Sequence, residues 1–169
     1  VNPVYFGIDP GKKGAVAVLD PGGEVLGLYP MPMIDTTRGK GRPQYDVPRL
    51  FSRLIRQGAG KVLMERLGPM PASMGGAAAN YQRGYAMGML QAMCVALKLP
   101  WDLVSPSVWQ KVFWKTKGDS KQQSILTAER LFPQADLLPT ERSKKPSDGM
   151  ADALLIAEYN RRYSLGLLT

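Results

Sequence analysis

Val4-Tyr-Phe-Gly-Ile-Asp9-Pro-Gly-Lys-Lys-Gly14-Ala-Val-Ala-Val-Leu19 is the stretch that decides the architecture. Val4 to Asp9 is a short apolar run ending in the turn Asp9-Pro10-Gly11. Gly14 to Asp20 alternates small and branched residues before a second turn, Pro21-Gly22-Gly23. Glu24 to Tyr29 supplies a third strand, and turns this short predict an antiparallel meander. Further along, Pro30, Pro32, Gly39, Gly41 and Pro43 mark residues 30–45 as a loop. Asp46 is placed to cap a helix through Gln57, with Pro48 in its first turn and Leu50, Phe51, Leu54 and Ile55 on its apolar face. Lys61 to Glu65 is a fourth strand reached through that helix, so it is expected to run parallel to its sheet partner. A Gly/Pro/Met loop at 67–76 precedes a long helix from Ala77 to Lys98, and Trp101 to Val104 is a fifth strand. Ser105-Pro106 opens a short helix to Phe113 or Trp114. Asp119-Ser-Lys-Gln122 resembles a capping box for a helix to about Phe132. After a Pro-rich basic loop at 133–146, Ser147 caps a last helix to about Tyr163, with Gly166 beyond its end. Strands first, then alternating helix and strand, then helices, predict an α/β chain: one five-stranded mixed sheet with helices on both faces.

A chain of 169 residues suits one compact domain, able to bury roughly 70% of the surface its unfolded form exposes. Hydrophobic residues at 44% and charged residues at 21% exclude a disordered chain. The longest apolar region, Ala86 to Leu97, is interrupted by Gln91 and reads as a buried helix rather than a membrane span. No basic segment followed by an apolar one stands at the N-terminus, and the single Cys94 cannot form an internal disulfide. Both favour a reducing, cytoplasmic setting. The most restrictive count is that of histidine, which is zero. Ser/His and Cys/His nucleophile pairs and His-containing zinc sites are thereby excluded. A metal held by this chain would have oxygen ligands, which suit magnesium, calcium or manganese.

The net charge is +8, from 22 basic and 14 acidic residues, and a balance of this size favours a polyanionic partner. Arg38, Lys40, Arg42, Arg49, Arg53, Arg56, Lys61 and Arg66 form one cluster, opposed only by Asp46 and Glu65. Lys111, Lys115, Lys117 and Lys121 form another, interleaved with Trp109, Phe113 and Trp114. Cations for phosphates beside aromatic faces for bases suit nucleic acid; the plainer reading makes the aromatics core and the lysines a solvated face. Lys12 and Lys13 stand beside Asp9, where they would meet phosphate. Gly7 to Lys13 departs from a P-loop, with one residue too few and no Ser or Thr, so no nucleotide cofactor is expected.

Four carboxylates stand out. Asp9 and Glu65 each end an apolar strand, and parallel neighbours would bring both to the same end of the sheet. Asp148 and Asp152 are four apart on the last helix and share one face, where like charges repel unless a cation lies between them. Each has a bland alternative. Asp9 suits a turn, Glu65 an exposed strand end, and Asp148 the dipole of a helix start. Asp152 resists it, because Met150, Ala151, Ala153, Leu154 and Leu155 surround it and a carboxylate in apolar company needs a partner. Four such acids without histidine suggest a two-magnesium phosphodiesterase, in which paired ions stabilise attacking water and leaving oxygen.

Gly7-Ile-Asp-Pro-Gly11, Glu65 and Ser147-Asp-Gly-Met-Ala-Asp-Ala-Leu-Leu-Ile-Ala157 resemble the RuvC-like Holliday junction resolvases of the RNase H-like nuclease superfamily, over about residues 4 to 160. The resemblance implies an RNase H-like fold in a single nuclease domain over 1–169. It also implies a homodimer and paired nicks across a four-way DNA junction, leaving 5′-phosphates. Two Mg2+ ions per site, with Mn2+ able to substitute, would be held by Asp9, Glu65, Asp148 and Asp152. Lys111 and Lys121 match the family's basic region near the scissile phosphate; Lys121 would act in catalysis, and Lys12, Lys13, Lys111, Lys115, Lys117 and Lys121 would bind DNA. Two departures stand out. Bacterial members space the last two acids by three residues, whereas the interval here is four, as in the yeast mitochondrial relatives. Bacterial members also carry an aromatic shortly after the glutamate, where this chain has Gly68, Pro69 and Met70. Small size and these departures fit a phage origin and a host-cytoplasmic enzyme.

The leading expectation is a crossover junction endodeoxyribonuclease. The alternatives are a broader flap or fork debranching endonuclease, a non-catalytic junction-binding protein and an actin-like ATPase. Clustered negative charge facing DNA argues against the binding module. A missing second Gly-rich loop argues against the ATPase. The small residues of Ala77 to Lys98, among them Gly84, Gly88 and Ala92, would pack on the chain's own sheet or on a second copy.

Overall fold

The computed structural model describes residues 3–34, 43–114 and 119–168. Its main sheet has five strands: β1 (Val4–Asp9), β2 (Ala15–Leu19), β3 (Val25–Pro30), β6 (Gly60–Glu65) and β7 (Trp101–Val104), in the order β3-β2-β1-β6-β7. The meander β1-β2-β3 is antiparallel, and β6 runs parallel to both β1 and β7. The strands therefore pair as the turn lengths and the helical crossover require.

Residues alternate between the two faces of each strand. Phe6, Ile8, Val16, Val18, Val62 and Met64 form one core with Leu50 and Leu54 of α1 (Val47–Arg56) and Leu90 and Cys94 of α2 (Gly76–Ala96). On the opposite face Ala15, Ala17 and Leu19 pack with Ala128 of α4 (Ser120–Leu131) and Met150, Ala153 and Leu154 of α5 (Asp148–Ser164). Leu63 and Val104 join Leu155, Ile156 and Trp109 of α3 (Pro106–Phe113) in a third cluster. Both faces are thus covered. Among the described residues no helix is long and apolar enough to cross a membrane.

α5 is the pivot of the molecule. A Cβ at Gly7 would collide with the backbone of Ala153 and Ala157, so only glycine lets this helix lie directly on β1. A Cβ at Gly149 would collide with the Lys13 carbonyl, so the first turn of α5 rests on the β1–β2 turn in the same way. Further along, Asn160 Nδ2 donates to the carbonyls of Phe6 and Lys61 at 2.9 and 2.8 Å, tying β1 to β6. Near the C-terminal end, the buried Glu158 accepts from Arg161 at 2.7 and 2.8 Å and from Arg162 at 2.6 Å. Arg161 also reaches the Pro21 carbonyl in the β2–β3 turn.

The structure departs from the sequence reading in a few places. The segment read as a loop holds a small antiparallel ribbon, β4 (Met33–Ile34) with β5 (Gln44–Tyr45), too short for any alternation to show. Tyr45 fastens it by donating its hydroxyl hydrogen to the Pro10 carbonyl at 3.1 Å. The loop after Glu65 holds one 3-10 turn at Ala72–Met74. Ser105 makes no side-chain cap, so Pro106 alone sets the start of α3. Asp119 caps α4 through the Lys121 N–H at 3.0 Å.

Candidate active site

Strand alternation sends Asp9 and Glu65 to the α5 face, because their neighbours Ile8 and Met64 occupy the other one. Register sets their height. Ile8 pairs with Met64, so each acid follows at the same end of adjacent parallel strands. The close approach at Gly7 and Gly149 then brings the first turns of α5, with Asp148 and Asp152, over that end. Ser147 starts the helix by accepting the Met150 N–H at 3.3 Å.

Three of the acids form a largely buried group that shares charge. Burial raises the Asp9 carboxyl above its ordinary range; the Asp148 charge adds to this, while the Gly11 N–H and the Arg83 charge oppose it. Burial, then the Asp9 charge, pushes Glu65 up to about 7 against the Trp109 hydrogen bond and Arg83. Burial also pushes Asp152 up to about 7, with Asp9, Glu65 and Asp148 adding to it and a Ser124 hydrogen bond opposing it. One oxygen of Asp152, Oδ1, is buried and has no hydrogen-bond partner among the described residues. Asp148 behaves otherwise. Burial alone would raise it, but the hydrogen bond and charge of Lys121 hold it below the ordinary range. The Lys121 Nζ lies 2.9 Å from Asp148 Oδ2, so the cation found beside this acid is a lysine of the chain itself.

An acidic group that resists ionisation through burial and mutual repulsion, with one buried orphan oxygen, fits divalent cations with oxygen shells. Among the described residues, however, no three acids converge into a ready metal cage. Internal donors explain why. Glu65 Oε2 accepts from Trp109 Nε1 at 3.1 Å, Asp9 Oδ1 accepts from the Gly11 N–H at 3.1 Å, and Asp148 is held by Lys121. Each of these three acids therefore has one oxygen held by a donor of the chain itself.

Lys121 is exposed beside Asp148 and Lys111 is exposed on α3. Lys13 is exposed in the β1–β2 turn, whereas the Lys12 Nζ donates to the Pro43 carbonyl at 2.8 Å. Lys115 and Lys117 lie outside the described residues. The aromatics near them are corrected to core. Trp109 is fully buried, and the partly buried Phe113 and Trp114 pack on it in the same cluster. Two participants escaped the sequence reading. Trp109 orients Glu65 from 44 residues away, and no sequence motif marks that pairing. The Arg83 charge acts on both Asp9 and Glu65, while its Nε donates to the Gly68 carbonyl at 2.8 Å. Asn80 clasps Met70 by both backbone groups, at 2.7 and 3.0 Å. Together Arg83 and Asn80 pin the segment after Glu65 to α2, and the only prior sign of this was a basic residue on an otherwise uncharged helix.

No protein-family model matches the sequence, and no curated protein matches it by sequence comparison. Solved structures do match by fold. Thermus thermophilus RuvC in complex with a Holliday junction substrate superposes with a TM-score of 0.61 at 16% identity, over 96% of each chain. A second T. thermophilus RuvC structure gives 0.56 at 18% identity, again over 96% of each chain. The yeast mitochondrial Holliday junction resolvase Ydc2 gives 0.60 at 22% identity, over 99% of this chain and 82% of that one. With the sheet order, the helices on both faces and α5 seated on β1, these likenesses identify the fold of the chain as the RNase H-like fold of the RuvC-type resolvases.

Proposed function

We propose that the chain is a structure-selective DNA endonuclease that resolves four-way junctions by paired, divalent-cation-dependent nicks. One observation carries the reading: Asp9, Glu65, Asp148 and Asp152, drawn from β1, β6 and α5, gather at one sheet end with a buried, unpartnered carboxylate oxygen on Asp152. The fold supports it, since the T. thermophilus neighbour is itself bound to a Holliday junction substrate. So does the surplus of 22 basic over 14 acidic residues.

Asp9, Glu65, Asp148 and Asp152 would hold two magnesium ions, whose chemistry is to polarise the scissile phosphate and activate water for an in-line attack that leaves a 5′-phosphate. The protein's own contributions are positional and electrostatic. The charge of Asp9 reaches both Glu65 and Asp152, which suits it to bridging. Trp109 fixes one oxygen of Glu65 and thereby the direction of the other. Lys121, at present on Asp148, is exposed and long enough to turn to a phosphate. Lys12, Lys13, Lys111, Lys115 and Lys117 would hold the strand by charge. A homodimer would present two such sites to the two-fold-related strands of a junction.

Cleavage of a four-way junction, a flap, a fork and a linear duplex, side by side, tests the assignment. The junction is expected to be cut by symmetric nicks with magnesium or manganese and left intact in chelator. Equal cutting of all four substrates would replace it with a general nuclease. Full cleavage in chelator would remove the metal mechanism.

A further inference from the structure

A groove of about 570 Å³ runs along α1, away from the acidic centre, with Tyr29, Arg49, Arg53, Arg56 and Gln57 among its walls. The arginines fall at intervals of four and three, which places them on one helical face. None is ion-paired among the described residues. The one acid on the rim, Asp46, turns an oxygen to the Arg49 N–H at 3.1 Å as the cap of α1. Three guanidiniums therefore face one carboxylate, and like charges at this spacing repel.

Arg53 is held in place despite that repulsion. Its Nη1 donates to the Pro30 carbonyl at 3.0 Å and its guanidinium lies 4.8 Å from the Tyr29 ring centre. The Tyr29 hydroxyl in turn accepts from Gln57 Nε2 at 3.0 Å. A guanidinium fixed on an aromatic face, with one hydrogen-bond acceptor among the described residues and two exposed arginines beside it, is arranged for an oxyanion. Burial and the Arg49 charge already lower its proton affinity, so an added negative charge relieves a cost the fold carries.

One wall of the groove is anchored at the sheet end that carries the acids, though on the opposite face. Asp9 pairs with Ala15, and Ala15 with Pro30, the residue that anchors Arg53. Two strand spacings put Pro30 roughly 10 Å from Asp9. We propose that this groove is a second phosphate-binding site, seating the backbone of a duplex arm on the sheet face opposite α5. The identity of the polyanion rests on the junction-endonuclease reading.

The test is the double variant Arg49→Glu/Arg56→Glu, compared with wild type for junction affinity by fluorescence anisotropy in chelator. Both residues are exposed and neither side chain bonds to the described protein, so an unchanged melting temperature is expected to confirm folding. Affinity is expected to fall by about tenfold or more, and the salt slope to shrink by about 2, one unit for each phosphate the variant no longer neutralises. Junctions carrying one neutral methylphosphonate at successive positions along an arm locate the site on the DNA: at one position wild type binds more weakly than to the unmodified junction and the variant does not. A wild type that cuts junctions, beside a variant with full affinity and an unchanged salt slope, overturns the groove. A wild type that binds duplex but never cuts a junction overturns the endonuclease reading, while a loss of duplex binding in the variant keeps the groove as a polyanion site. A wild type that binds no DNA overturns both.

Discussion

Asp9 and Lys121 contribute to the site in opposite ways, and substitution separates them. Asp9→Asn keeps the shape of the side chain and removes the charge that reaches Glu65 and Asp152. Cleavage is expected to fall by orders of magnitude while junction affinity holds or rises, because a repulsive charge near phosphate has gone. Single-turnover cleavage and anisotropy measured on one preparation decide it, and near-normal cutting by Asp9→Asn would place the centre elsewhere. Lys121→Ala removes the partner of Asp148. It is expected to weaken binding by one factor on all sequences and to lower the salt slope by about 1. Cleavage that falls much further than affinity would instead assign Lys121 to the transition state. The placement of the four acids at one sheet end was legible in the sequence, because each ends an apolar strand or stands on the apolar last helix. Trp109 and Arg83 were not, since they reach the site across the fold and leave no local pattern.

At the scale of elements, α5 on β1 carries the geometry. Gly7→Ala places a methyl group against the backbone of Ala153 and Ala157, which no rotamer change can relieve. It is expected to cost about 1–3 kcal/mol in urea unfolding and to reduce cleavage sharply, because Asp148 and Asp152 move with the helix. A second device of α5 is the buried Glu158 between Arg161 and Arg162. Burial opposes its ionisation, but the arginine hydrogen bonds and charges prevail and hold its carboxyl below the ordinary 4.5. A depressed folded-state value means that the stabilisation is present above 4.5 and fades as pH falls through the folded value. Glu158→Gln is expected to cost roughly 3 kcal/mol at pH 7, at the low end for a broken buried pair because Arg162 keeps some solvent access. The gap from wild type should narrow in unfolding experiments below 4.5. The strands and helices were readable from period and caps; the β4–β5 ribbon was not, because two-residue strands are held by bonds such as Tyr45 to Pro10 rather than by pattern.

For the whole molecule the open question is how many copies act together. α2 turns Leu90, Met93 and Cys94 inward, while Tyr81, Tyr85 and Val95 stay exposed, and extra atoms at Gly84 and Gly88 would meet nothing. One face of the small-residue helix is therefore spent on the sheet, and we propose the exposed face as the contact for a second copy. Light scattering is expected to give twice the chain mass of 18.5 kDa. Gly84→Arg should return it to a single mass and replace paired nicks by isolated ones; a wild type of single mass at cleavage concentrations would refute the dimer.

The division of the acids among β1, β6 and α5 also has a consequence in time. Asp9 is synthesised early and Asp148 and Asp152 late, and α5 must reach Gly7 before the four can act as one. Until α5 settles on Gly7, Asp9 and Glu65 stand apart from Asp148 and Asp152, so the proposed centre is completed by that one docking step.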